Sequence, residues 1–338
     1  PHFHLCGGCS LQHLEPGRQV AVKEARLLEA LEHAGAGRPG RVLPPLAGPL
    51  WGYRHKARLG ARYVRNKGRL LVGFREKRSN RVADLTRCEV LHPAVGERIA
   101  PLREVLAGLG VATAIPQAEV AVGDGQAVLV LRNLEPLGEA DRAALEAFAA
   151  DTGLALCLQP GGPETVTALD GGPAPELSYA LPGHAVTLRF RPTDFTQVNP
   201  VLNRDMVDQA LGLLDPGPGE RVLDLFCGLG NFTLPMARRG ARVTGVEERA
   251  RDNARANGLA EVVYHAADLG RPDPAAPWLA GPWDKLLLDP PRSGALEVLQ
   301  ALPEPGPGRI CYVSCNPATL ARDAGELVSA RGYRLAAA

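Results

Sequence analysis

Three settings in this 338-residue chain place reactive side chains at spacings that chemistry can use. Cys315 stands in "CYVSCNPATLARD", residues 311 to 323. The apolar run Arg309 to Val313 predicts a buried strand, and Asn316-Pro317 reads as the cap and first-turn proline of a helix. A thiol at that junction meets free N–H groups and partial positive charge, which favour the thiolate over an ordinary cysteine of pKa about 8.5. Asp289 closes another apolar run in "LLLDPPRSG", residues 286 to 294. Asp-Pro is commonly a plain turn former, yet the end of a strand is also where a binding carboxylate belongs. The third setting is Cys6-x-x-Cys9 in "CGGCSLQHL", with Cys88 in "TRCEVLHP". Three such thiols suit zinc, with His13 or His92 as fourth ligand, and suit an iron–sulfur cluster equally. Cys157, Cys227 and Cys311 lie in apolar runs and read as packed core thiols.

A fourth stretch, "VLDLFCGLGNFTLP" (222 to 235), reads as strand, glycine turn and helix start. Gly228 and Gly230 let backbone approach a ligand, but Thr233 takes the place of the third glycine of a dinucleotide fingerprint, which argues against NAD. Glu247, after the next apolar run, is placed to accept from two ribose hydroxyls, and Asp268 in "HAADL" to receive an adenine amino group. The turn alone is a weak pointer; turn and both carboxylates at successive strand ends are much stronger.

The elements that must hold these residues follow from periodicity. After "RPTDFTQVNP" strands are expected at Arg221 to Phe226, Arg242 to Glu247, Val262 to His265, Lys285 to Asp289 and Arg309 to Val313, mostly alternating with helices. That rhythm predicts a doubly wound, Rossmann-like α/β sheet with its ligands at the carboxyl ends of the strands. Upstream, Pro16 to His33 carries leucines at helical spacing, and Pro39 to Pro49 is a Pro/Gly-rich connection. From Trp51 to Arg191 alternating runs such as "AVLVLR" and "AVTLRF", with helices near Pro93 to Leu109 and Glu139 to Ala150, predict a mixed α+β domain. Two domains are therefore expected, residues 1–191 and 192–338.

The whole-chain net charge of +1 conceals a basic stripe. Residues 51 to 90 hold 12 Lys+Arg against 3 Asp+Glu, interleaved with Trp51, Tyr53, Tyr63 and Phe74. Phosphate pairing with base stacking makes that an RNA-binding composition; the plainer reading is a solvated strand face. No apolar run approaches the roughly 20 residues a membrane span needs, and the first residues do not resemble a signal peptide. A cytoplasmic, monomeric protein is expected, and the seven cysteines suit a reducing compartment.

In order along the chain, "FTQVNPVLN", "DLFCGLGNFTLP", "LLDPPRSG" and "YVSCNPATLARD" resemble the S-adenosylmethionine-dependent RNA 5-methyluridine methyltransferases. The resemblance implies that Gln197, Phe226, Asn231, Glu247, Asp268 and Asp289 line the S-adenosylmethionine site and that Cys315 is the nucleophile. "CGGCSLQHL" with Cys88 is similar to the iron–sulfur segment of the branch that methylates C5 of uracil 1939 in 23S rRNA. This implies a [4Fe–4S] cluster on Cys6, Cys9, Cys88 and a cysteine six positions before Cys6, just outside the sequence. Two alternatives stay open: an inactive, cluster-bearing RNA-binding or assembly protein, and methylation of a different rRNA or tRNA uridine. The family's general base is a downstream glutamate in an "H-x-E" setting, whereas only Asp323 and Glu326 follow Cys315 here. The chain is accordingly expected to be incomplete at both ends.

Overall fold

The computed structural model of the chain describes residues 2–246 and 250–338. The chain divides into two compact units, and neither is continuous in sequence. The first comprises Pro1–Pro16, Gly48–Tyr179 and Arg189–Asn203; the second comprises Gly17–Ala47, Ala180–Leu188 and Arg204–Ala338. Residue 191, the single boundary expected from sequence, falls inside the last segment of the first unit.

Helix α1 (Pro16–His33) forms over the predicted span. The first unit is built on β1 (Lys56–Val64), β2 (Arg69–Gly73), β3 (Gln117–Val122), β4 (Ala127–Arg132), β5 (Ala155–Gln159) and β6 (Thr167–Ala168). They form one sheet in the order β2-β1-β3-β4-β5-β6, in which only β4 and β5 run parallel. The helix expected near Pro93 to Leu109 is two helices, α2 (Pro93–Gly96) and α3 (Ile99–Gly108), and α4 runs from Glu139 to Thr152. Leu102 and Leu106 of α3 and Leu145 and Phe148 of α4 join Leu59, Val120 and Leu129 of the sheet in one core. Burial on this scale, at about 25 cal/mol per Å² of apolar surface, holds the unit together.

Strands β7 (Leu177–Leu181) and β8 (Val186–Phe190) form a two-stranded ribbon, and α5 follows at Pro200–Leu214. The second unit then alternates β9 (Arg221–Leu225), α6 (Thr233–Arg238), β10 (Arg242–Val246), α7 (Ala250–Ala256), β11 (Val263–His265), β12 (Lys285–Leu288), α8 (Leu296–Ala301), β13 (Arg309–Tyr312) and α9 (Pro317–Ser329). All neighbours pair in parallel, in the order β11-β10-β9-β12-β13. Each strand with a described end stops at or one residue short of its predicted last position. Phe226 and Asp289 therefore stand just beyond their strands, at the start of the turns. The alternation fails once: no helix separates β11 from β12, and a loop packing Trp278 and Leu279 into the core takes its place. No helix of the described residues is long and apolar enough to cross a membrane.

Candidate active site

Because every strand of the second sheet points the same way, the residue after each one arrives at the same edge. Read across the sheet, that edge carries Asp268 beyond β11, the turn from Phe226 to Asn231 after β9, Asp289 after β12 and Cys315 beyond β13. Glu247, which follows β10, lies outside the described residues. Strands about 4.8 Å apart spread this row over roughly 19 Å. Asp268 is exposed, and its Oδ1 accepts from Gly270 N at 2.9 Å. A cleft lined by Arg221, Arg242, Glu261 and Trp283 opens near the amino ends of the strands, away from this row.

The turn after β9 is held in an uncommon backbone conformation. Phe226 has φ +64°, followed by Gly228 at +54° and Gly230 at +95°. The left-handed region is open to glycine and strained for phenylalanine, a pattern concentrated at functional turns. A Cβ on Gly228 would meet nothing, so the space above this backbone is open to a ligand; one on Gly230 would meet Leu234 at 3.0 Å. Beneath the turn, Asp224 is fully buried and accepts from Thr233 Oγ1 at 2.5 Å. Burial drives its carboxyl up to about 7, helped by the charge of Asp289, while the Thr233 hydrogen bonds pull the other way. Thr233, in the place of the third fingerprint glycine, thus ties the start of α6 to the strand.

Cys315 is exposed, one residue before the cap of α9. Asn316 caps that helix: its Oδ1 accepts from Ala318 N at 3.2 Å, and its Nδ2 donates to Arg292 O at 2.9 Å. Thr319 Oγ1 also donates to Arg292 O, at 3.2 Å, and Arg322 Nη2 donates to Ser293 O at 2.9 Å. The loop that begins with Asp289 is therefore fastened to the helix that begins beside Cys315. At the centre of the fastening lies Asp323, 0% exposed, which accepts from Tyr312 OH at 2.6 Å and Ala295 N at 2.7 Å and pairs with Arg322 at 2.7 Å. Burial, with the Asp323 hydrogen bond adding to it, pushes the Tyr312 phenol up. Gly294, at φ +86°, admits no side chain, since a Cβ would come within 2.5 Å of Arg322 and Asp323. Asp323 is thus a structural anchor, and Glu326 is hydrogen-bonded by Gln300 at 3.3 Å on an exposed face. Both carboxylates are therefore engaged with partners other than Cys315.

Gln197 belongs to the first unit, where it lines a small cavity with His55, Tyr179, Thr196 and Asn203. The first unit also contains Cys6, Cys9 and Cys88, all half-buried. Burial raises the Cys6 and Cys9 thiols, the charge of Cys88 raises both further, and Arg54 lowers both. The Cys6–Cys9 segment is fixed by main chain to the turn after β2, through Gly7 N to Arg75 O at 2.8 Å and Lys77 N to Leu5 O at 2.9 Å. Among the described residues no three His, Cys, Asp or Glu side chains are gathered tightly enough to hold a single metal ion. Of the remaining cysteines, Cys157 and Cys227 are buried as expected from sequence and Cys311 is half-buried; burial pushes Cys157 up to about 11 and Cys311 up to about 12.

The basic stripe is not one surface. Lys56 pairs with Glu119 at 2.9 Å and is largely buried, Arg58 shares that carboxylate, and Arg69 and Arg103 share Asp84. Arg62, Tyr63, Arg65 and Lys67, at the β1–β2 hairpin, remain exposed, and none of the three cations pairs with a carboxylate among the described residues. Asp224, Asp323 and Arg54 were missed as site residues. For Asp224 a signal existed, since it is the one charge inside the run Val222 to Leu225.

The family model of tRNA (Uracil-5-)-methyltransferase matches residues 177–262. Over 100% of its length this chain is 56% identical to the 23S rRNA (uracil(1939)-C(5))-methyltransferase RlmD of Alkalilimnicola ehrlichii. It is 53% identical, over 99% of its length, to that of Methylococcus capsulatus, and spans 77% of each relative. Among solved structures, the Pyrococcus abyssi tRNA (uracil-54, C5)-methyltransferase in complex with S-adenosyl-L-homocysteine matches 94% of this chain and 77% of its own. The TM-score is 0.69 at 22% identity, a likeness of fold.

Proposed function

The chain belongs to the S-adenosylmethionine-dependent RNA uracil-C5 methyltransferases, and from that premise we propose that it forms 5-methyluridine in 23S rRNA, at the uracil numbered 1939 in its relatives. The observation that carries this reading is the row along one sheet edge, a glycine turn open to a ligand, then Asp289, then an exposed thiol at a helix start. S-adenosylmethionine supplies an electrophilic methyl group. Phe226, Asn231, Asp268 and Asp289 would hold it, and Gln197 and Glu247 are assigned to it by their positions in the family motifs. Uracil C5 is too weak a nucleophile unaided. The Cys315 thiolate would add through its sulfur to C6 and electron density moves to C5, which takes the methyl group as the S–CH3 bond of the sulfonium breaks and S-adenosylhomocysteine leaves; loss of the C5 proton to a base then re-forms the C5–C6 double bond and expels the thiolate.

Residues 1–191 serve RNA recognition and 192–338 the chemistry. The exposed cations and Tyr63 of the β1–β2 hairpin suit phosphate pairing and stacking on an unpaired base. Cys6, Cys9 and Cys88 are read as three ligands of a [4Fe–4S] cluster. Their support is the donor type, their mutual electrostatic influence, and the buried Arg54 Nε, which has no hydrogen-bond partner. A single chain working on ribosomal RNA fits a cytoplasmic monomer. Incubation with S-adenosylmethionine and 5-fluorouridine-substituted 23S rRNA fragments tests the mechanism, because fluorine at C5 blocks the last step. A methylated adduct on Cys315 is expected; methylation of rRNA by Cys315→Ala would overturn it, and no adduct or transfer at all would leave the inactive RNA-binding reading.

A further inference from the structure

Arg54 is a cation whose main chain is held by the segment that carries Cys88 and whose guanidinium lies by Phe74, the ring against which the Cys6–Cys9 segment packs. Its main chain is bound to the stretch just after Cys88: Arg54 N donates to Val90 O at 2.9 Å, and Arg54 O accepts from His92 N at 3.0 Å. Its guanidinium carbon lies 5.8 Å from the centre of the Phe74 ring. That ring abuts the other segment, since a Cβ on Gly8, between Cys6 and Cys9, would come within 2.9 Å of it. The Nε of Arg54 is buried with no hydrogen-bond partner, and no carboxylate pairs with it among the described residues. A buried donor left without an acceptor costs about 1–3 kcal/mol, and more for a charged group. Retaining one is explained by an anionic acceptor in the working protein.

Chemistry of that kind is offered by the thiols of the segments that pack around Arg54, Cys88 by main-chain bonds and Cys6–Cys9 through Phe74. Four thiolates around a [4Fe–4S]2+ core leave a net negative charge, and their sulfurs accept hydrogen bonds that tune the cluster. Lys77, the other cation close to these cysteines, lies 3.5 Å from the centre of the Phe3 ring. We propose that Arg54 donates its Nε–H to a sulfur of the cluster held by Cys6, Cys9 and Cys88 and supplies the counter-charge for its thiolates. This rests on the iron–sulfur reading and goes beyond it by assigning a residue that is not a cysteine.

The experiment compares wild type, Arg54→Gln and Arg54→Lys, purified without oxygen, by iron and sulfide content, by the cluster's reduction potential and by its rate of loss to a chelator. Binding of S-adenosylmethionine is measured beside these as a check that the chain is folded. Arg54→Gln is expected to lower the potential and hasten cluster loss several-fold, with Arg54→Lys recovering part of each because it restores the charge without the fixed Nε. A folded Arg54→Gln chain that takes up no cluster, while Arg54→Lys does, supports the same role. A loaded Arg54→Gln chain with the wild-type potential and rate of loss overturns it. Wild type without iron and sulfide fails differently: it removes the iron–sulfur reading, and the Arg54 assignment falls with it.

Discussion

The thiol of Cys315 and the thiols of Cys6, Cys9 and Cys88 are positioned by different means. Cys315 is delivered by regular structure: a parallel strand ends, a capped helix begins, and neighbouring strands bring Asp289 and the glycine turn to the same edge. The other three come from segments without regular structure, joined by isolated bridges such as Cys6 to Glu76 and Arg54 to Leu91. A parallel sheet fixes a site through its topology, so single side chains around it can be tuned one at a time. A site made of loops relies on a few long-range hydrogen bonds and on the charge at its centre.

That contrast can be broken most sharply at Cys315. Cys315→Ala should abolish methyl transfer, by more than about 10⁴-fold, with S-adenosylmethionine affinity unchanged, as read by methyl incorporation and by calorimetry. Next is Asp224, whose raised carboxyl makes it more readily protonated folded than unfolded. Below the ordinary carboxyl value near 3.8 both states are neutral; as pH rises toward 7 the unfolded chain has released a proton that the folded state still holds. Stability therefore falls with rising pH across that window, by about 4 kcal/mol. Urea unfolding at several pH values should show this fall in wild type and not in Asp224→Asn.

Asp323→Ala strands the Tyr312 hydroxyl and the Ala295 N–H and frees Arg322, so the chain should lose about 3 kcal/mol of stability. Methyl transfer should fall with it, because the Asp289 loop and the Cys315 helix are fastened at that point; a melt and a transfer assay check both. Replacing Arg62, Arg65 and Lys67 together by Gln should weaken rRNA binding about tenfold. The slope of log affinity against log salt should flatten by about 2, with S-adenosylmethionine affinity untouched. The smallest effect belongs to Asn316→Ala, about 1 kcal/mol for a lost cap.

The edge was legible because an apolar run followed by a polar residue predicts both a strand and where its last side chain goes. Asp289 and Cys315 needed nothing else, and Thr233 announced itself by occupying a glycine position. What sequence did not give depends on distant partners. Asp323 reads as one more charge in a helical run until Tyr312, Ala295 and Arg322 converge on it. Arg54 is one of 12 Lys+Arg in a basic stripe, and only the fold separates it from Arg62, which is exposed. Each compact unit likewise draws on segments remote in sequence, which periodicity along the chain does not reveal.

Within the second unit, Gly325 of α9 would drive a Cβ to 2.2 Å from Ala34 O, and Leu31 and Ala36 are buried in one cluster with Ala321. The helix that starts beside Cys315 is thus backed by the stretch just after α1. One side of that contact precedes the first sheet in the chain, and the other follows the last strand of the second. In the nascent chain the stretch after α1, the glycine turn and Asp289 all emerge before Cys315, so Cys315 is the last of the row to be made.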